Sequence, residues 1–243
     1  MIDIHCHILP NFDDGAADLA ESMEMARMAV SSGVTGIVAT PHFPGEAASL
    51  RRMGALLKRY ERLEQAISRE NLQLQLWPGA EILCLPETPQ LAAKKALPTI
   101  GDTNYILVEF NFGEPQSYMS EMLDALAQAG YLLVVAHPER YRAVQANIQL
   151  LKYWFDQGYI LQLNKGSVLG AFGSRVQQTA QRMIGEGLAH VIASDAHGTD
   201  KRTTHMGALQ QWAEGRCDPD YAQILMERNP ARVVAGRGMV PIR

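Results

Sequence analysis

Residues 1–7 read Met1-Ile2-Asp3-Ile4-His5-Cys6-His7, a short apolar strand that ends in two histidines two positions apart. Side chains alternate faces in an extended segment, so His5 and His7 project to one side about 7 Å apart while Cys6 points to the other. Two imidazoles placed in this way can reach one metal ion. The layout recurs along the chain, where apolar runs stop at Thr40-Pro41-His42, Gly79-Ala80-Glu81, Val108-Glu109, Ala136-His137 and Ser194-Asp195-Ala196-His197. Nitrogen and oxygen donors delivered repeatedly at strand ends point to a cluster of divalent ions.

Outward from that first segment, further strands are expected at 34–39, 72–77, 105–110, 131–136, 159–163 and 190–193, which makes seven in all. Helices are expected at 18–32, 47–70, 117–129, 147–157 and 174–186, with a helical tail after 203. Asp18 with Glu21 three residues on reads as a capping box, and Gly33, Gly130, Gly158 and Gly187 each sit just past a helix. Strict alternation of strand and helix favours a parallel sheet covered by helices, either closed or open. Closure is the better reading, because an open sheet gathers its functional groups at one switch point, whereas here nearly every strand carries a metal-type residue at its carboxyl end. At 243 residues the chain fits one α/β barrel domain spanning 1–243.

Bulk properties narrow the function. A formal charge of −4 gives no footprint for nucleic acid or an anionic membrane. No apolar stretch approaches the roughly 20 residues that cross a bilayer, and the amino terminus lacks a basic segment followed by an apolar one, so a cytoplasmic location is expected. Cys6, Cys84 and Cys217 are too few and too far apart for a disulfide framework. None of them has arginine six positions later, which removes a cysteinyl-phosphate route. The basic residues Arg51, Arg52, Lys58, Arg59 and Arg62 are interleaved with Glu61 and Glu64 and read as a solvated helix face.

Any one histidine after a strand is ordinary. Five of the seven fall at strand ends, however, and Asp14, Glu81, Glu109 and Asp195 occupy equivalent places. So many ionisable groups close together must be either solvated or neutralised by metal. His190, at the start of a strand, and His205, at a helical start, are read as structural. Cys6 is read as a packed thiol. A set of imidazoles and carboxylates suits manganese, iron or zinc.

With Asp13-Asp14-Gly15, His137-Pro138-Glu139-Arg140-Tyr141 and the motifs above in view, the chain resembles the bacterial PHP-type (polymerase and histidinol phosphatase-like) protein-tyrosine phosphatases found with capsule and exopolysaccharide synthesis systems. The likeness runs from Met1 to the segment Asn229-Pro230-Ala231-Arg232. It implies a distorted (βα)7 TIM-like barrel with up to three divalent ions, manganese foremost, at the carboxyl ends of the strands. By that resemblance His5, His7, Glu81 and Asp195 hold one ion. Glu81 bridges to a second, shared with Glu109 and His137, while Asp14, His42 and His197 hold the third. Arg140 and Arg202 match the arginines that engage the substrate phosphate. Lys165 stands where the family often carries small or hydroxyl residues, so its role is open.

Three divalent ions against four carboxylates leave a formal charge of about +2, so the site attracts a phosphate dianion although the chain is acidic. The implied substrate is phosphotyrosine on the tail of a bacterial tyrosine autokinase, reached through an open site because the rim connections look short. Two other readings stand beside it: a small-molecule phosphomonoesterase of the histidinol phosphate type, and a metal-binding regulatory module without catalysis.

Overall fold

The chain forms strands at the seven expected positions, and two of them resume after a break, beyond the expected ranges, as additional short strands. In the computed structural model, which describes residues 1–241, the strands among the described residues are β1 (Ile2–Cys6), β2 (Gly36–Ala39), β3 (His42–Pro44), β4 (Gln75–Pro78), β5 (Glu81–Leu83), β6 (Tyr105–Glu109), β7 (Leu132–Ala136), β8 (Ile160–Asn164) and β9 (Val191–Ala193). Three of them form one sheet in the order β1-β2-β4, and six form a second in the order β3-β5-β6-β7-β8-β9. All neighbours run parallel. Because β3 continues β2 and β5 continues β4, the two sheets are one wall. A bridge between Cys6 and Ala196 joins β1 to the end of β9 and closes it. The result is a distorted (βα)7 barrel.

The two breaks have local causes. Pro41 has no N–H to offer a ladder, so β2 stops before it; its carbonyl still accepts from Glu81 N–H at 3.0 Å. Opposite, a Cβ on Gly79 would stand 2.8 Å from Val38 Cγ1, so glycine alone lets the chain pass before β5 begins.

Helices α1 (Leu19–Ser31), α2 (Met53–Arg69), α3 (Thr88–Ala93), α4 (Gln116–Gln128), α5 (Arg142–Ala146), α6 (Gln149–Asp156), α7 (Lys165–Leu169), α8 (Ser174–Gly185), α9 (Gly207–Ala213), α10 (Pro219–Gln223) and α11 (Asn229–Val234) follow in chain order. Asp18 caps the helix as read, accepting from Glu21 N–H at 2.9 Å, while Glu21 reaches one residue further back than a capping box does and accepts from Ala17 N–H at 2.9 Å. Residues 47–52 are a 3₁₀ turn instead of the first turns of a long helix, and the tail after 203 is three short helices with a π-helical stretch at Ile224–Arg228. Among the described residues no helix is long and apolar enough to cross a membrane.

Strand alternation divides the core into two layers. Ile4, Val38, Leu107, Val134, Ala136 and Val191 fill the barrel interior over a floor of Ile100, Tyr105 and Val233. Ile37, Phe43, Ile82, Ile106, Val108, Leu161 and Ile192 face outward onto Met25, Leu63, Leu123, Trp154 and Met183 of the helices. Each such side chain contributes about 1.5–3 kcal/mol on burial, which anchors the strands and fixes where their ends emerge.

One irregularity matters for the site. The pairing of β1 with β2 shifts register between Asp3 and Cys6. Across that bulge the inward set passes from Ile4 to His5 and His7, and Cys6 turns to the outer apolar layer. The thiol is therefore packed, as alternation required. The rim is less bare than its sequence suggested. Residues 7–18 and 194–206 form extended connections, and these carry Asp13, Asp14, Asp195, His197 and Arg202.

Candidate metal centre

Above the apolar interior the inward positions become polar, and five imidazoles and four carboxylates from different strand ends meet there. His5, His7, Glu81, His137 and Asp195 are buried, His42 and Glu109 half-buried, and Asp14 exposed at the mouth. Three groups have ligand atoms within 4.8 Å of one another: His7, Asp14, His42 and His197; His5, His7 and Glu81; and His42, Glu81 and Glu109. Asp195 Oδ1 lies 3.5 Å from His5 Nε2 and 3.6 Å from His7 Nε2, beside the second group. His137 Nε2 is 2.9 Å from Glu81 Oε1 and 3.9 Å from Glu109 Oε2. All nine donors named from the sequence thus share one cluster, with His7, His42 and Glu81 each common to two groups.

What stands behind the imidazoles aims them. His5 Nδ1 is 2.9 Å from Gln162 Oε1, whose own amide nitrogen donates to Leu163 O at 2.7 Å and so fixes which end accepts. His7 Nδ1 donates to Asp13 at 2.8 Å, and His197 Nδ1 faces its chain neighbour Asp195 O at 3.1 Å. Each of these rings keeps its proton on the outer nitrogen and turns Nε2 into the cluster, the orientation a metal ligand needs. His5 Nε2 and His7 Nε2 then face each other at 3.3 Å, both aimed into the cluster. Glu81 Oε2 and His197 Nε2 are buried without an aligned hydrogen-bond partner. These orphaned inward atoms fit divalent cations, and the donor set of nitrogen and oxygen without sulfur fits manganese, iron or zinc.

The electrostatics make the same demand for positive charge. Burial opposes protonation of His5, but Glu81 and Asp195 outweigh it and hold the imidazole up at about 9. Burial likewise works against charged His42, and Glu109 with Glu81 carries it to about 11. Asp195 is drawn to about 2 because His5, His137 and Arg202 overcome its desolvation. His197 is pushed down to about 4 by burial and by its cationic neighbours His7 and Arg202. Carboxylates this deep take protons onto nearby rings when no other cation stands between them.

Two arginines converge on the cluster. Arg140 Nη1 lies 3.4 Å from Asp195 Oδ2, and Arg202 Nη2 lies 2.5 Å from Asp195 Oδ1. The Arg140 guanidinium is stacked between Phe112 and Phe172, 4.3 Å and 4.5 Å from their ring centroids. Lys165 does not face the cluster: its Nζ donates to Thr203 O and to His205 O, the latter at 3.0 Å, and ties down the connection that carries Arg202. His137, Asp195 and Arg202 all adopt positive φ, at 33°, 50° and 46°, an unfavourable backbone state for residues with side chains that concentrates at functional sites.

A family model for capsular polysaccharide synthesis proteins of the CpsB/CapC type matches residues 1–235. The chain belongs to the CpsB/CapC family. Relatives include the tyrosine-protein phosphatase YwqE of Bacillus subtilis, 40% identical over 210 residues that cover 84% of this chain and 80% of that protein. The tyrosine-protein phosphatase CpsB of Streptococcus pneumoniae is 28% identical over 250 residues, covering 96% of this chain and 98% of that one. Crystal structures of YwqE and CpsB, described as unique metal-dependent tyrosine phosphatases, include a chain that superposes with a TM-score of 0.87 at 34% identity, covering 99% of this chain and 96% of that one. A D-hydantoinase matches with a TM-score of 0.54 at 11% identity over 99% of this chain and 72% of its own, which shows a shared barrel and nothing more.

Within this cluster, several supporting residues escape a reading of strand ends. Asp13 accepts from His7, from the backbone N–H of His42 at 2.8 Å and from Gly15 N–H at 3.0 Å. Glu139 is fully buried and accepts from Asn164 N–H at 3.0 Å, while the Asn164 amide donates to Asp195. Burial pushes the Glu139 carboxyl up, even though His137 pulls the other way. Of these, Gln162 and Asn164 did carry a signal, since they alternate with Leu161 and Leu163 and share the inward face with Ile160. Asp13 differs from Asp14 only by loop geometry. His190, read as structural, indeed accepts from Leu161 N–H at 3.0 Å and stacks on Phe155.

Proposed function

We propose that residues 1–243 act as one metal-dependent protein-tyrosine phosphatase domain that works in the cytoplasm on the phosphotyrosine-bearing tail of a bacterial tyrosine autokinase of capsule or exopolysaccharide synthesis. The convergence of nine donors and two arginines at one barrel rim carries this reading. His5, His7, Glu81 and Asp195 would hold one divalent ion, Glu81, Glu109 and His137 a second, and Asp14, His42 and His197 a third, with manganese as the first choice. When bound, such ions supply a Lewis-acidic centre that acidifies water and draws charge from phosphate oxygens.

The chain's own residues do the rest. Asp13, Gln162 and the Asp195 carbonyl hold three rings in one tautomer. Arg140 and Arg202 have donors left over beyond Asp195, and their planar forks match two oxygens of a phosphate as a lysine cannot. Stacking on Phe112 and Phe172 keeps Arg140 in place before substrate arrives. In the net reaction the aryl C–O–P ester loses its P–O bond, a water oxygen takes that place, and a proton ends on the tyrosine oxygen.

The test is phosphate release by stripped protein reloaded with manganese, iron or zinc, using phosphotyrosine peptides, phosphoserine peptides and histidinol phosphate, with metal content measured alongside. The parent is expected to prefer phosphotyrosine, and His42→Ala and Asp195→Ala to release none. A preference for histidinol phosphate, or activity surviving in both variants, would overturn the assignment. A kinase-tail peptide cleaved no better than an unrelated phosphotyrosine peptide would remove the proposed partner alone.

A further inference from the structure

Among the described residues few large apolar side chains are left exposed, and one of them stands at the rim of the most polar region. Phe112 is 41% exposed. It follows β6 directly after Phe110 and Asn111, and its carbonyl is tied by Arg142 N–H at 2.9 Å. One part of its ring is engaged by the Arg140 guanidinium, and its centroid lies 5.9 Å from that of His137 and 6.3 Å from that of Tyr141. The remainder is open to solvent beside the cluster. Holding Arg140 uses one part of the ring, and the apolar surface left exposed next to carboxylates and imidazoles is the kind that marks a binding site.

Phe172, on the other side of Arg140, is placed differently. Its ring rests against Gly166, where an added Cβ would stand 2.7 Å from it, and it is half-buried. Phe112 offers the more exposed aromatic surface beside Arg140. One ester oxygen separates phosphorus from the ring in phosphotyrosine. A phosphate gripped by Arg140 therefore leaves its ring within reach of the residue that Arg140 stacks on, in the centroid range of about 4.5–7 Å that aromatic pairs prefer.

We propose that Phe112 is the platform on which the phenyl ring of the substrate lies, making it the residue that selects aryl over alkyl phosphates. The inference deepens the phosphotyrosine reading above and rests on it. It assigns discrimination to ring contact and not to the charged site, which treats every phosphate monoester alike.

Calorimetric titration of the metal-loaded, full-length protein with phenylphosphonate and methylphosphonate tests it. The parent is expected to bind the phenyl compound about tenfold more tightly. Phe112→Ala is expected to bring the two affinities together by weakening the phenyl compound, and Phe112→Tyr to keep the preference. An unchanged ratio in Phe112→Ala overturns the proposal. So does an equal loss for both compounds, which would mean that Phe112 acts only by steadying Arg140. A parent that binds neither compound removes the phosphate site and the platform with it. A parent that prefers phenylphosphonate yet releases nothing from a phosphotyrosine peptide keeps the platform and sinks the phosphatase assignment.

Discussion

Asp13→Asn asks whether the cluster depends on the groups behind its imidazoles. One oxygen of Asp13 accepts from both His7 Nδ1 and the His42 N–H at 2.8 Å, and the other accepts from Gly15 N–H at 3.0 Å. An amide cannot serve all three. In its better orientation the Asn carbonyl keeps His7 and His42, and its NH₂ then confronts the Gly15 donor. The loop has no room to withdraw, because a Cβ at Gly15 would already lie 2.1 Å from the His7 carbonyl oxygen. A half-buried donor left without an acceptor costs up to about 1–3 kcal/mol, and the bond to His7 loses its charge assistance as well. His7 belongs to two of the three donor groups, so its misplacement disturbs both. Divalent-ion affinity is expected to fall about 10–100-fold, the range found when a group behind a ligand is removed. Competition against a chromogenic chelator measures it, and circular dichroism melting of the ion-free protein shows that the barrel still folds. An affinity equal to the parent's, in a variant that melts like the parent, would refute the idea that Asp13 orients His7.

Three further outcomes follow from the same structure. Arg140→Lys should retain its ions but lower turnover on phosphotyrosine peptides about 10–100-fold, since it loses a charge-assisted fork worth about 1.5–3 kcal/mol; steady-state kinetics with metal analysis decides, and undiminished turnover counts against the role. Gly15→Ala forces a methyl into the His7 backbone and should lower the melting temperature and the ion content together, so a variant that melts and loads like the parent would show that the 7–18 connection is not built around that contact. His190 is held down at about 4 by burial, against an unfolded value near 6.5, so as pH falls through that window the unfolded chain takes up the proton first and stability is lost, by about 3 kcal/mol in total. Urea unfolding at pH 7 and pH 4.5 should show this limb shrinking in His190→Gln, and an identical pH dependence in both proteins would assign it elsewhere.

Much of the fold was legible because its signals are local. Short apolar runs spaced by amphipathic ones dictate parallel strands, and a donor placed after each run reports which end of the barrel works. The breaks at Thr40-Pro41 and Gly79-Ala80 were not legible as breaks. They depend on how two strands pass each other, with Gly79 against Val38 and Pro41 accepting from Glu81. The bulge in β1 is another case: simple alternation placed His5 and His7 correctly on one face but said nothing of why Ile4 shares it. Asp13 and Glu139 were invisible as supports because each acts on a residue distant in sequence, His42 in one case and Asn164 in the other.

The bulge, the three positive-φ residues and the opposed nitrogens of His5 and His7 are best understood together. Each is unfavourable taken alone, and each is needed to bring a donor inward from a strand that would otherwise continue its alternation. A barrel with this much apolar wall can carry such costs at one end, where the side chains no longer pack against one another. What offsets the concentrated charge differs with the state of the site. Without cations the carboxylates draw protons onto His5 and His42, and those protons occupy nitrogens that cations require. Loading the site must therefore expel them, so that ion binding and proton release are one event and affinity climbs with pH until those rings are neutral.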